Sequence, residues 1–279
     1  GDASPLAGDL VSVTAVVTAV LATGFFLQEE DADADGDAAT SEGIFVLSAD
    51  TVTVGDVVVA EGIVEEQFGF TRIDASVIDV TGTADLPTAA GLTLPFTMET
   101  DLEAVEGMQV VLTSADDADP LTVIENFNFD RFAELTVSAG EQIQPTQIFD
   151  AQDDAAEVDA LQQQNALNRI IIDDGSTQGN PGSFAYIAND TAGDNGDGIL
   201  SAGDDIAAGN VAPRLGAQIT EPVEGVLDFS FGEYRIVPSG TLAIDPATND
   251  GAREPDAPEV GGELTVVSFN ALNYFTTLG

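Results

Sequence analysis

A thirteen-residue pattern occurs twice in this chain, and it constrains the fold more than any other feature. Glu61-Gly62-Ile63-Val64-Glu65-Glu66-Gln67-Phe68-Gly69-Phe70-Thr71-Arg72-Ile73 returns as Glu224-Gly225-Val226-Leu227-Asp228-Phe229-Ser230-Phe231-Gly232-Glu233-Tyr234-Arg235-Ile236. Six of the thirteen positions are identical, and exchanges between apolar residues keep the alternation. Each copy reads as a hairpin: a strand, a turn at Phe-Gly, and a second strand that carries an Arg. Gly69 and Gly232 supply the backbone angles that the turn needs.

The segments upstream of the two copies share a plan. In the first, a long strand over 11–28, bent at Gly24, leads through an acidic loop to a strand at 43–48, and a Gly55-Asp56 turn opens the hairpin. In the second, segments at 121–138 and 169–173 flank a helical insertion near 153–168, and an acidic, Gly-rich loop over 190–210 leads to the hairpin. The expected fold is all-β, with two tandem OB-like Greek-key barrels, a short helical insertion in the second and an orphan C-terminal strand. The expected boundaries are barrel 1 over 1–81 and a linker over 82–106, in which Leu92-Thr93-Leu94 and Phe96 can add an edge strand. Barrel 2 follows over 107–240, a second linker over 241–262 and the orphan strand over 263–279.

Composition narrows the setting. Hydrophobic residues make up 44% of the 279, enough for packed cores, so the acidity is not that of a disordered chain. Fifty acidic residues face six basic ones, all Arg, for a formal charge of −44. Such a surface suits a saline environment, where molar salt shortens the Debye length to roughly 3 Å and screens the repulsion. Divalent cations are the expected partners, and direct nucleic-acid binding is disfavoured without cation bridging. The chain has no Cys, which excludes disulfides and thiolate metal sites. The apolar stretch 10–27 is interrupted by Ser12, Thr14, Thr18 and Thr23 and reads as a strand, so no membrane span is expected. The start Gly1-Asp2-Ala3-Ser4-Pro5, without Met, fits either an exported chain that has lost its signal or a chain trimmed at its start, and localisation is expected to be extracellular or at the cell surface.

Several segments carry a family resemblance, in order along the chain: GFFLQ (24–28), TSEGIFV (40–46), the LTV…ELTVSAG run (121–140), QPTQ (144–147), RIIIDDGS (169–176), FGEYRI (231–236) and SFNALNYF (268–275). Together they resemble the non-catalytic N-terminal half of secreted extracellular nucleases of the endonuclease/exonuclease/phosphatase superfamily. The resemblance implies tandem OB-like domains ahead of a metal-dependent phosphodiesterase, with 263–279 as the first strand of that catalytic domain. It also implies that Asn270 belongs to the part of the fold that organises metal and phosphate. The catalytic Glu, Asp and His of the family have no counterpart positions here, and the chain contains no His. No phosphodiesterase activity is expected of these residues alone.

Two loops carry metal-ligand spacing. Asp31-Ala32-Asp33-Ala34-Asp35-Gly36-Asp37-Ala38-Ala39-Thr40-Ser41-Glu42 satisfies D-x-D-x-D-G-x5-E. Asp31, Asp33 and Asp35 offer side-chain oxygens, Asp37 a carbonyl and Glu42 a bidentate carboxylate, a donor set that suits calcium. The flanks are strands, so this is not an EF-hand, and a solvated acidic loop is the plainer reading. A weaker match over 193–204 places Asn195, Asp197 and Asp204 at ligand positions but Gly193 at the first, where Asp190 or Asp194 can substitute only with changed geometry. On the hairpins, Phe68, Phe70, Phe231 and Tyr234 are expected to fill barrel interiors, the alternative being stacking on bases or sugars. Arg72 and Arg235 are each expected to pair with a nearby carboxylate. Among the many paired acids, Asp173-Asp174 included, none stands out as an acid–base couple.

The sequence therefore points to a non-catalytic extracellular protein built from nuclease-type accessory domains. It is expected to assemble with copies of itself, as a ring or filament, through calcium-stabilised loops and a donated strand carrying Leu264, Val266, Phe269, Asn270, Leu272 and Phe275. The alternatives are a substrate-positioning region of a secreted nuclease and a carbohydrate-binding module, which the fold permits but no motif specifies.

Overall fold

Period-two alternation turns the first third of the chain into five strands: β1 (Leu10–Leu21), β2 (Gly24–Gln28), β3 (Gly43–Leu47), β4 (Asp56–Gln67) and β5 (Phe70–Thr83). The computed structural model describes residues 4–250. The expected assembly strand, with Leu264, Val266, Phe269, Asn270, Leu272 and Phe275, lies outside the described residues, as does the end of the second expected linker.

The five strands close a barrel in the order β1-β2-β3-β5-β4. Val11, Val13, Ala15 and Val17 alternate inward along β1 and meet Phe25, Leu27, Val46, Val58, Ala60 and Ile73 in one core. The first half of β1 pairs with β4, from Leu10↔Ile63 to Val16↔Val57, and its second half pairs with β2. A register shift between Val17 and Ala19 lets one strand serve both neighbours. Thr18 at that irregularity donates its buried hydroxyl to the Phe26 carbonyl, 3.4 Å away. The single strand expected over 11–28 is thus two strands, and the bend falls at 17–19 rather than at Gly24, which opens β2.

The rest of the chain forms β6 (Ala90–Leu94), β7 (Gln109–Ser114), β8 (Leu121–Glu125), α1 (Phe129–Phe132), β9 (Leu135–Ala139), α2 (Ala155–Leu167), β10 (Ile170–Ile172), β11 (Ser183–Ala188), β12 (Ile199–Ser201), β13 (Gln218–Ile219), β14 (Val223–Ser230) and β15 (Glu233–Pro238). Eight of these strands make one sheet in the order β13-β8-β9-β10-β15-β14-β7-β6, and β11 and β12 pair separately. The plan repeats that of the barrel. β7 meets β14 as β1 meets β4, β8 meets β9 as β1 meets β2, and β10 runs parallel to β15 as β3 does to β5.

One difference prevents closure. The counterpart of β1 is cut into β7 and β8 by residues 115–120, where Pro120 offers no backbone donor and Ser114 Oγ turns to the Asp119 carbonyl, 2.6 Å away. The free edges take β6, parallel to β7, and β13, antiparallel to β8. The second half is therefore an open eight-stranded sheet and not the second closed barrel expected. The molecule is all-β, and the longest helix among the described residues, α2, is the insertion ahead of β10.

Both segments read as linkers carry structure. Residues 82–106 include β6 and bury Leu92, Leu94, Phe96 and Leu102 in the larger core. In the second, Leu242 is buried and Ile244 bridges to Ile219. The two halves also pack on each other: Phe26 and Phe45, with ring centroids 5.0 Å apart, form a cluster with Val226 of β14. Gln28 accepts from the Gln109 amide at 2.8 Å, and Ser41 Oγ donates to the Glu106 carbonyl at 2.5 Å. As far as Asn249 the described residues form one compact unit. Among them, no helix is long and apolar enough to cross a membrane.

Candidate functional site

Among the described residues, one group of carboxylates converges. Asp194, Asp197 and Asp204 each bring an oxygen within 4.8 Å of the others. Asp194 and Asp197 lie in the connection between β11 and β12, and Asp204 follows β12. Short polar contacts shape this loop. Asp194 accepts from the Gly198 amide at 3.2 Å, and Asp197 from the Ile199 amide at 3.1 Å. Asp204 is the hub: it accepts from the Ser201 amide (2.9 Å), the Asn195 amide (3.2 Å) and Asn189 Nδ2 (2.9 Å). Those donors, the Ser201 amide first, hold its carboxyl below the usual range, so it stays ionised. Asp197 is exposed and Asp194 and Asp204 are half-buried. Three such carboxylates, with no Arg bonded to them among the described residues, are a hard-oxygen set that suits calcium, with carbonyls and water completing the shell.

Of the residues expected at this loop, Asp197 and Asp204 belong to the trio of acids. Asn195 lies beside them: its Oδ1 accepts from the Asp197 amide and its Nδ2 donates to Ser201 Oγ at 2.7 Å. Asp194 takes the place that Gly193 leaves empty in the ligand pattern. The signal was present in the sequence as an adjacent acid, but spacing alone did not select it.

The better sequence match is differently arranged. The 31–42 loop joins β2 to β3, and no three carboxylates from Asp31, Asp33, Asp35, Asp37 and Glu42 meet within 4.8 Å. Asp31 is turned to Thr88, accepting from its amide at 2.8 Å and its hydroxyl at 2.6 Å, and this holds the Asp31 carboxyl low. Asp35 accepts from the Asp37 amide at 2.6 Å, Asp37 from the Ala39 amide at 3.0 Å, and Glu42 from the Asp35 amide at 3.1 Å. These carboxylates serve as caps for their own loop and as a tie to residue 88.

The repeated hairpins bring out a second region. Phe68 and Phe231 do not fill barrel interiors: they are 91% and 77% exposed, at φ of 55° in both copies. Phe70 and Tyr234 are half-buried. Both arginines pair with carboxylates as expected. Arg72 meets Glu65 at 2.8 Å near the surface, whereas Arg235 is buried and bonds Asp173 at 2.6 Å and Glu134 at 2.9 Å. Burial pushes the Asp173 carboxyl up to about 6 although Arg235 pulls it down. Burial opposes the Arg235 charge, but Asp173 and Glu134 outweigh it and raise its pKa. Sequence reasoning missed Glu134, which no local pattern links to Arg235. No protein-family model matches the chain, and no curated protein matches it.

Proposed function

We propose that this chain is a non-catalytic, extracellular two-part β scaffold stabilised by calcium and assembling with copies of itself. The observation that carries the reading is the convergence of Asp194, Asp197 and Asp204 in a loop ordered by its own backbone donors. A cation there removes the mutual repulsion of the carboxylates and stabilises the folded state in proportion to its occupancy. The 31–42 loop is a second candidate, at which a cation would have to draw Asp31 away from Thr88. Self-association is assigned to the apolar segment with Leu264, Val266, Phe269, Asn270, Leu272 and Phe275, by strand addition to a neighbour.

Calcium titration followed by calorimetry and thermal melting tests the cation site. The melting temperature is expected to rise with millimolar calcium in the parent and in Glu42→Ala, and to lose most of that response in Asp197→Asn. Equal responses in the parent and Asp197→Asn would remove the site. Deletion of 264–279, with particle size measured at molar salt, tests assembly, and undiminished assembly of the shortened chain would refute the strand. The second reading, a substrate-positioning region of a secreted metal-dependent nuclease, rests on the ordered motifs from GFFLQ to SFNALNYF.

A further inference from the structure

Matching strands place matching rows of side chains on the outer faces of the two halves. In the barrel, Phe26, Phe45 and Arg72 stand in register across β2, β3 and β5. In the open sheet, Thr136, Ile171 and Arg235 stand in register across β9, β10 and β15. The residues that follow Phe45, Arg72, Ile171 and Arg235 (Val46, Ile73, Ile172 and Ile236) belong to the cores, so both rows face outward. The first row is aromatic and covered, because Phe26 and Phe45 pack against Val226. The second opens onto a hollow of about 200 Å³, which Thr136 and Ile171 line together with Glu125, Asn128, Glu134 and Arg169. A neighbouring hollow of about 340 Å³ shares Arg169, Ile171 and Glu233 with it. Together they reach the size of small-molecule sites, ~300–1,000 Å³.

Two exposed rings stand by this hollow. Phe127, 89% exposed, lines it from the connection after β8. Phe231 sits on the turn between β14 and β15, its ring centroid 5.4 Å from the Arg235 guanidinium carbon, and Arg235 in turn bonds Glu134 of the lining. The lining offers hydrogen-bonding groups of both kinds. Arg169 and Asn128 donate, and Glu125 and Glu233 accept. The positive charges are already matched: Arg169 bonds Glu125 at 2.7 Å, and Arg235 bonds Asp173 and Glu134. Glu233 has no hydrogen-bonded or ionic side-chain partner among the described residues, so the hollow carries surplus negative charge.

We propose that this cleft binds a neutral oligosaccharide, with sugar C–H faces against Phe127 and Phe231 and hydroxyls on Arg169, Glu125 and Glu233. A saccharide presents apolar faces and hydroxyls that both donate and accept, which is the mixture the cleft offers. Phosphate, sulfate and nucleic acid meet no spare cation there and are repelled by the carboxylates. The covered row of the barrel offers no equivalent space, which makes Phe68 the natural control.

The test is affinity electrophoresis and calorimetry of the intact chain, in EDTA so that cation sites play no part. The probes are neutral gluco-, manno- and xylo-oligosaccharides, with alginate and single-stranded oligothymidylate as anionic counterparts. At least one neutral series is expected to bind, with affinity falling about tenfold in Phe127→Ala and in Phe231→Ala but less than about twofold in Phe68→Ala. Binding of no neutral series overturns the proposal. So does tighter binding of an anionic probe, or parental affinity in both cleft variants.

Discussion

Arg72 and Arg235 hold one place in a repeated pattern, yet their surroundings assign them different energetic weights. Arg72 and Glu65 face each other across the hairpin, and water reaches both. Arg235 is 3% exposed, its partners Asp173 and Glu134 are 5% and 18% exposed, and its Nε has no acceptor among the described residues. Arg72→Gln is therefore expected to cost under about 1 kcal/mol. Arg235→Gln strands a buried carboxylate and is expected to cost about 3–5 kcal/mol at pH 8. The loss should be smaller at pH 5, because Asp173, already raised to about 6, then takes up a proton. Urea denaturation of both variants at the two pH values checks this, and equal losses would mean that Arg235 is hydrated in solution. That each arginine has a carboxylate partner was legible in so acidic a chain. The identity of the Arg235 partners was not, since they lie 62 and 101 residues away.

At the scale of elements, the hairpin was read correctly for one reason and incompletely for another. Gly69 and Gly232 do adopt positive φ, 86° and 83°, and the loops between Gln67↔Phe70 and Ser230↔Glu233 have two residues. In such a turn both central residues take positive φ, which places Phe68 and Phe231 in the left-handed region and turns their rings outward. Propensity favours Asn there, so the aromatic residue hid the turn type. Phe68→Asn is expected to stabilise the protein by about 1 kcal/mol, since Asn adopts this conformation readily and the exposed ring gives up little burial. A lower midpoint in chemical denaturation would show instead that the Phe68 ring packs on something in solution. The metal loops teach a related lesson. Ligand spacing presupposes the frame that holds a loop, and the 31–42 pattern comes from a helix–loop–helix frame but spans two strands here. Around β11 and β12 a poorer pattern converged, because the β11–β12 pairing and Asp204 draw the connection together.

At the scale of the whole molecule, the contact between the halves contains a titratable group. Glu106 is the last residue of the 82–106 segment, and its carbonyl receives the Ser41 hydroxyl of the barrel. Burial, and then repulsion from Glu103, push its carboxyl from 4.5 to about 7, against a backbone hydrogen bond from Thr71. Its Oε2 has no hydrogen-bond partner among the described residues. Because the folded pKa lies above the unfolded one, the folded state holds the extra proton between 4.5 and about 7. Stability is then greatest below that window and falls as pH rises through it. Glu106→Gln keeps the shape without the charge, so the variant should match the parent near pH 4.5 and exceed it above pH 7.5. After allowance for solvent screening, the gain is on the order of 1–2 kcal/mol. Asp173 titrates in the same direction in both proteins, as does the general repulsion of a chain carrying −44, so the difference between the two stability curves isolates Glu106. Curves that stay parallel from pH 4.5 to 8.5 would mean that water reaches the Glu106 carboxyl, and that the two halves meet less closely in solution than their hydrogen bonds imply.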